Sequence, residues 1–74
     1  MKVTGKVSWI EQGSGTWGLV GDDGKTYELY GKKAEEMSAA EGKKVSVQGK
    51  VREDVMSMAM IGPVLEVESY EQVG

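Results

Sequence analysis

The sequence predicts an all-β fold, five strands closing a small barrel with one short helix between the third and fourth. Three observations carry this. Residues 2–11 and 43–52 alternate in a period of two, which is the pattern of a half-buried strand. Turn-forming clusters, Glu11-Gln12-Gly13-Ser14-Gly15 and Asp22-Asp23-Gly24-Lys25, divide the first thirty residues into three short segments. One stretch, 32–41, has helix formers and no β-branched residue.

In the first strand Val3, Gly5, Val7 and Trp9 share one face and Thr4, Lys6, Ser8 and Ile10 the other, with Gly5 expected as a bulge or bend. A flexible connection leads to a second strand at 16–21. The Asp22–Lys25 turn follows, with Gly24 supplying the positive φ, and a third strand runs over 25–30. In the helical stretch Ala34 and Met37, with Ala40 or Glu41, lie on one side and plug a barrel end, and Gly42 is the stop signal. Lys32 and Lys33 stand at the unfavourable end for the helix dipole. In the fourth strand Val45, Val47, Gly49 and Val51 point inward, and Lys44, Ser46, Gln48, Lys50 and Arg52 outward. After the polar turn Glu53-Asp54, a fifth strand region is expected from Met56 to Ile61, broken at Gly62-Pro63 and resumed over 64–70. Pro63 cannot donate to a central ladder, so the break is expected at an edge or a sheet corner. The order β-β-β-α-β-β is that of a five-stranded Greek-key barrel of the OB type. An SH3-like barrel competes and requires a shorter or 3₁₀-like connection across 31–42.

Seventy-four residues make one domain, 1–74, because a chain this short cannot divide its apolar residues between two cores. Cysteine and histidine are both absent. Disulfides, thiolate metal sites and the commonest general base are thereby excluded, and no catalytic residue, metal or cofactor is expected. The opening Met-Lys-Val shows no secretory pattern, and no run reaches the ~20 apolar residues of a membrane span, so a cytoplasmic protein without membrane attachment is expected. Net charge is −3. Residues 1–33 carry five lysines and four acids, residues 34–74 four basic and eight acidic groups, so the first half is the less hostile to an anionic partner.

Four of the five aromatic residues, Trp9, Trp17, Tyr27 and Tyr30, fall on the first three segments. They either fill one side of the barrel or form a platform on which a ligand stacks. Trp9 shares a face with Val3 and Val7, which points to the core. An outward Trp9 requires a bulge that shifts the register of the first strand.

These segments resemble the bacterial cold-shock domain family. Gly5-Lys6-Val7-Ser8-Trp9-Ile10 is similar to its opening strand, Gly-x-Val-Lys-Trp-Phe. Thr16-Trp17-Gly18-Leu19-Val20 stands at its first ribonucleoprotein motif and Thr26-Tyr27-Glu28-Leu29-Tyr30 at its second. Glu41-Gly42-Lys43-Lys44-Val45-Ser46-Val47 resembles the start of its fourth strand. The likeness covers about the first two-thirds of the chain. It implies an OB-type barrel with Trp9, Trp17, Tyr27 and Tyr30 as base-stacking positions. The departures are Ser8 for lysine, Gly15-Thr16 for Lys-Gly, Leu19 for an aromatic and Leu29 for histidine, and what is lost is mostly the positive charge that holds phosphates. Trp17-Gly18-Leu19-Val20 and Met56–Pro63 also resemble small uncharacterised OB-type domains of bacteria and archaea, a likeness that assigns no activity.

Met56, Met58 and Met60 occur at i, i+2 and i+4, so on a strand their thioethers line one face. Such a set can hold Cu(I). It resembles the copper-binding OB domain of periplasmic efflux systems, although that domain also uses a histidine. A flexible core stripe explains the same spacing. Lys32, Lys33, Lys43 and Lys44 form either one basic patch or a solvated face. The sequence thus predicts a non-catalytic binding module. Its first expected ligand is single-stranded DNA or RNA on Trp9, Trp17, Tyr27 and Tyr30, with Lys6 and Lys25 contacting phosphates. The alternative is a protein partner.

Overall fold

Alternating apolar residues and glycine-bearing turns fold the chain into five strands. They are β1 (Lys2–Ile10), β2 (Thr16–Gly21), β3 (Thr26–Tyr30), β4 (Lys44–Val51) and β5 (Val64–Gln72). The structure, a computed structural model, describes residues 1–57 and 60–73. The strands close in the order β1-β2-β3-β5-β4, with β4 returning to β1. The named strands pair antiparallel except β3 with β5, where Glu28, Leu29 and Tyr30 run parallel to Val64, Leu65 and Glu66. This is a five-stranded all-β barrel of the OB type. Because closure leaves no sheet edge, Pro63 stands just ahead of β5 and its carbonyl accepts the Glu28 N–H at 2.8 Å.

The helical stretch divides in two. A short helix, α1 (Lys32–Glu36), is followed by a 3₁₀ turn at Met37–Ala40, and Gly42, with φ of 80°, reverses the chain. No side chain caps α1 at Gly31, which leaves its first N–H groups poorly held and limits its length. Ala34, Met37 and Ala40 are buried and close one barrel end over Val7, Leu19, Val45, Val47 and Leu65.

Two expectations are corrected. Gly5 is not a bulge: its register is unbroken toward Gly21 on β2 and Val45 on β4. It is glycine because a side chain there would strike the Val20 carbonyl, so the strongly coiled strands approach closely at that point. Among the described residues a register irregularity lies instead at Gln48/Gly49 against β5. The strand expected from Met56 to Ile61 is absent among the described residues of that stretch. Met56 and Met60 stand in the β4–β5 loop and are 85% and 81% exposed, so they are not a core stripe. Met58 lies outside the described residues.

Candidate functional site

The barrel closure sorts the six residues that sequence reasoning singled out. Trp9 and Trp17 are directly opposed across the β1–β2 ladder. Their rings meet edge to face, centroids 5.0 Å apart at 68°. Trp9 keeps the inward parity of Val3 and Val7, with no shift of register, yet is 42% exposed because β1 reaches the barrel mouth there. Trp17 packs against the core. Tyr27 is in the core at 2% exposure, opposite Leu19, and its hydroxyl donates to Asp23 Oδ2 at 2.8 Å. Tyr30 is exposed on the outer face beside Glu66. Lys6 lies on the outer face of β1 between Val20 and Lys44, and Lys25 closes the β2–β3 turn at the end away from the tryptophans. Only Trp9 and Trp17 are brought together.

Over the tryptophan pair folds the β1–β2 loop. The Gly15 N–H donates to the Gln12 carbonyl at 3.1 Å, and Gly13 and Gly15 take φ values of 66° and 86°. Gly15 lies so close to the Trp9 indole that a side chain there would clash with the ring. Trp9, Glu11, Gly13, Ser14 and Gly15 line an open cavity of about 300 Å³. Glu11 is its one charged lining residue. The sequence held one sign of this, since Glu11 follows Trp9 by two positions. Knowing that the loop returns over the ring required the fold.

The second feature is the β4–β5 loop, which lies over the outer face of β2 and β3. Ser57 donates from Oγ to Glu28 Oε1 at 2.6 Å, and Glu28 is only 5% exposed. The Met60 N–H donates to the same Ser57 oxygen at 2.8 Å. A side chain at Gly18 would run into Ile10 and Ile61, and one at Gly62 into the Thr26 carbonyl. At the loop's start Arg52 donates to both carboxylate oxygens of Asp54, at 2.8 and 2.7 Å, and to Glu66 at 2.9 Å. Asp54, and after it Glu66, hold the guanidinium well above its ordinary value, and Arg52 holds the Asp54 carboxyl down at about 2. Met60 has φ of 54°, uncommon for a residue with a side chain. Two methionines are thus presented to solvent by a well-tethered loop.

A polar groove of about 360 Å³ crosses β4 between Lys2, Ser46, Gln48, Ser69, Tyr70 and Glu71. The Ser46 hydroxyl is buried there without a hydrogen-bond partner. Lys32, Lys33, Lys43 and Lys44 are all exposed, and two of them are balanced locally: Lys33 lies 3.8 Å from Glu36 and Lys44 3.0 Å from Asp22. Among the described residues no three His, Cys, Asp or Glu side chains are placed to hold a metal, and no helix is long and apolar enough to cross a membrane. Fold and site together define an OB-type barrel with a tryptophan-lined mouth and a methionine-bearing loop. Compared with protein-family models, curated proteins and solved structures, the chain matches none.

Proposed function

We propose that this protein is a non-catalytic binding module that docks a cationic, partly apolar segment of a protein partner on its β4–β5 loop. The observation that carries this is the exposure of Met56 and Met60, 85% and 81%, on a loop fixed by the Ser57–Glu28 bond. A large apolar side chain in water gains free energy when a partner covers it, about 25 cal/mol per Å². Methionine is unbranched and polarisable and adapts to many apolar shapes. Glu53 stands in this loop, and residues 34–74 carry a net charge of −4, which attracts a basic partner.

The test uses protein labelled at its methionine methyl groups, titrated with a basic amphipathic peptide and with its acidic counterpart. The Met56 and Met60 resonances shift saturably with the basic peptide alone, and Met56→Gln with Met60→Gln abolishes the response. Unmoved methyl resonances, or an equal response to the acidic peptide, refute the proposal.

A second reading is favoured by one observation, the half-exposed indole of Trp9. An unpaired base of single-stranded nucleic acid stacking there gains about 1–3 kcal/mol. Quenching of tryptophan fluorescence by oligo(dT) at low salt, fading as salt rises, supports it. Unchanged fluorescence removes it.

A further inference from the structure

We infer that the cavity at the barrel mouth is a receptor for a cationic group, a guanidinium or alkylammonium, held between the Trp9 indole and the Glu11 carboxylate. This site rests on residues other than those of the methionine loop. Four features of the mouth carry the inference.

The lining carries a single charged side chain, and its charge is negative. The face of an indole is the negative end of its quadrupole and attracts a cation placed over it. Glu11 adds a negative charge, and it takes part in none of the ion pairs among the described residues, which join Lys33, Lys44 and Arg52 to other acids. No lysine or arginine lines the cavity. A phosphate-bearing ligand therefore meets an opposing carboxylate with no counter-charge beside it.

Trp9 is held in place. Its edge-to-face contact with Trp17 at 5.0 Å, and the packing of Trp17 on the core, fix the ring on a rigid pair of strands. A fixed ring loses less rotamer freedom on binding than a mobile one.

The loop is shaped around the ring. Gly15 must be glycine for two reasons, its φ of 86° and the lack of room for a side chain against Trp9. Gly13 and Ser14 complete the wall with backbone groups and one hydroxyl, which can accept hydrogen bonds from a guanidinium.

The size is suitable. A volume of about 300 Å³ lies at the lower end of small-ligand sites and accommodates the end of one long side chain. A basic residue of a partner chain and a free small cation share this chemistry, and the two are distinguished below.

The test follows the two indole N–H resonances during titration with N-acetyl-arginine amide, tetramethylammonium, N-acetyl-citrulline amide and uridine monophosphate. The arginine amide should shift the Trp9 resonance saturably, and the neutral citrulline analogue should leave it in place. A response to the arginine amide alone identifies a side-chain receptor; an equal response to tetramethylammonium identifies a general cation site. Glu11→Gln, a change in an exposed loop, should weaken binding about fivefold, as removal of one partly exposed charge pair does. Its unfolding midpoint should match that of the parent chain. Met56→Gln with Met60→Gln should leave this titration unchanged, so failure here and failure of the loop proposal are separable. Equal responses to arginine and citrulline, a Glu11→Gln chain that binds as tightly as the parent, or a larger response to uridine monophosphate would each overturn the inference.

Discussion

Tyr27 donates its phenolic proton to Asp23 Oδ2 at 2.8 Å, joining the third strand to the turn that precedes it. The same carboxylate accepts the Lys25 N–H at 3.0 Å through Oδ1. The Lys25 N–H first, and the Tyr27 hydroxyl second, hold the Asp23 carboxyl below its ordinary 3.8. Asp23 in turn raises the Tyr27 phenol above its ordinary 10.0.

The first prediction is acid destabilisation. A carboxylate whose folded pKa is depressed contributes stability that is present above the unfolded pKa and lost as pH falls through the folded one. For Asp23 and Asp54 the loss begins near the ordinary 3.8 and extends, for Asp54, to about 2. Urea unfolding at a series of acidic pH values should show this decline, flattened by Asp23→Asn and Asp54→Asn together. Tyr27 has the opposite sign: its contribution is full below the ordinary 10.0 and is lost as pH rises through the raised value. Tyr27→Phe should remove one late-titrating phenol from the ultraviolet absorbance titration and cost about 1 kcal/mol.

The second prediction separates the two tryptophans. Trp17 packs against the core and Trp9 is 42% exposed, so Trp17→Ala should destabilise by about 3 kcal/mol and Trp9→Ala by about 1 kcal/mol. A double-mutant cycle should give a coupling of about 0.5–1.5 kcal/mol, the contribution of an aromatic pair beyond its buried area. A coupling of zero would show that the 5.0 Å contact carries no stability.

The same residues show how far the sequence could be read. Period-two alternation located β1 and β4, and the turn clusters bounded β2 and β3, within a residue or two, because one face of each strand packs on a common core. Alternation assigns a face but not a depth. Trp9 has the parity of Val7, yet Val7 is buried and Trp9 half exposed, since a barrel ends and a pattern does not. Tyr27 and Tyr30 are three apart and therefore on opposite faces, which divided the expected platform between core and exterior. Met56 and Met60 fit a strand in spacing alone. The Ser57–Glu28 bond that holds their loop spans 29 positions, and no local pattern encodes such a contact.

The third prediction concerns close backbone approach. A side chain at Gly49 would strike the Glu66 carbonyl, and one at Gly5 the Val20 carbonyl. Gly49→Ala and Gly5→Ala should each cost about 2–3 kcal/mol, because two paired strands must separate. Gly24→Ala meets open space and only the strain of φ at 86°, so it should cost about 1 kcal/mol. Thermal unfolding of the three variants checks the order.

The fourth prediction follows from the unpartnered Ser46 hydroxyl under the β4 groove. Deleting a buried group that makes no hydrogen bond recovers its desolvation cost, so Ser46→Ala should be neutral or stabilise by up to about 1 kcal/mol. Destabilisation by a similar amount would reveal an ordered water bonded to the hydroxyl.

The fifth prediction links the loop to its proposed role. Ser57 donates to Glu28 Oε1 and accepts the Met60 N–H, so one hydroxyl ties the loop to β3 and holds the backbone of Met60. Ser57→Ala removes both bonds and should cost about 1–3 kcal/mol, the range for loss of a hydrogen bond at a buried polar group. Hydrogen exchange at the Met60 amide should accelerate, while the Tyr27 and Leu65 amides of the barrel keep their protection. Binding of the basic peptide should weaken although both methionines are intact, because the partner must then order a loosened loop. Ser57→Thr keeps the hydroxyl and should restore both readouts. If Ser57→Ala exchanges and binds as the parent does, the bond to Glu28 is not what fixes the methionines.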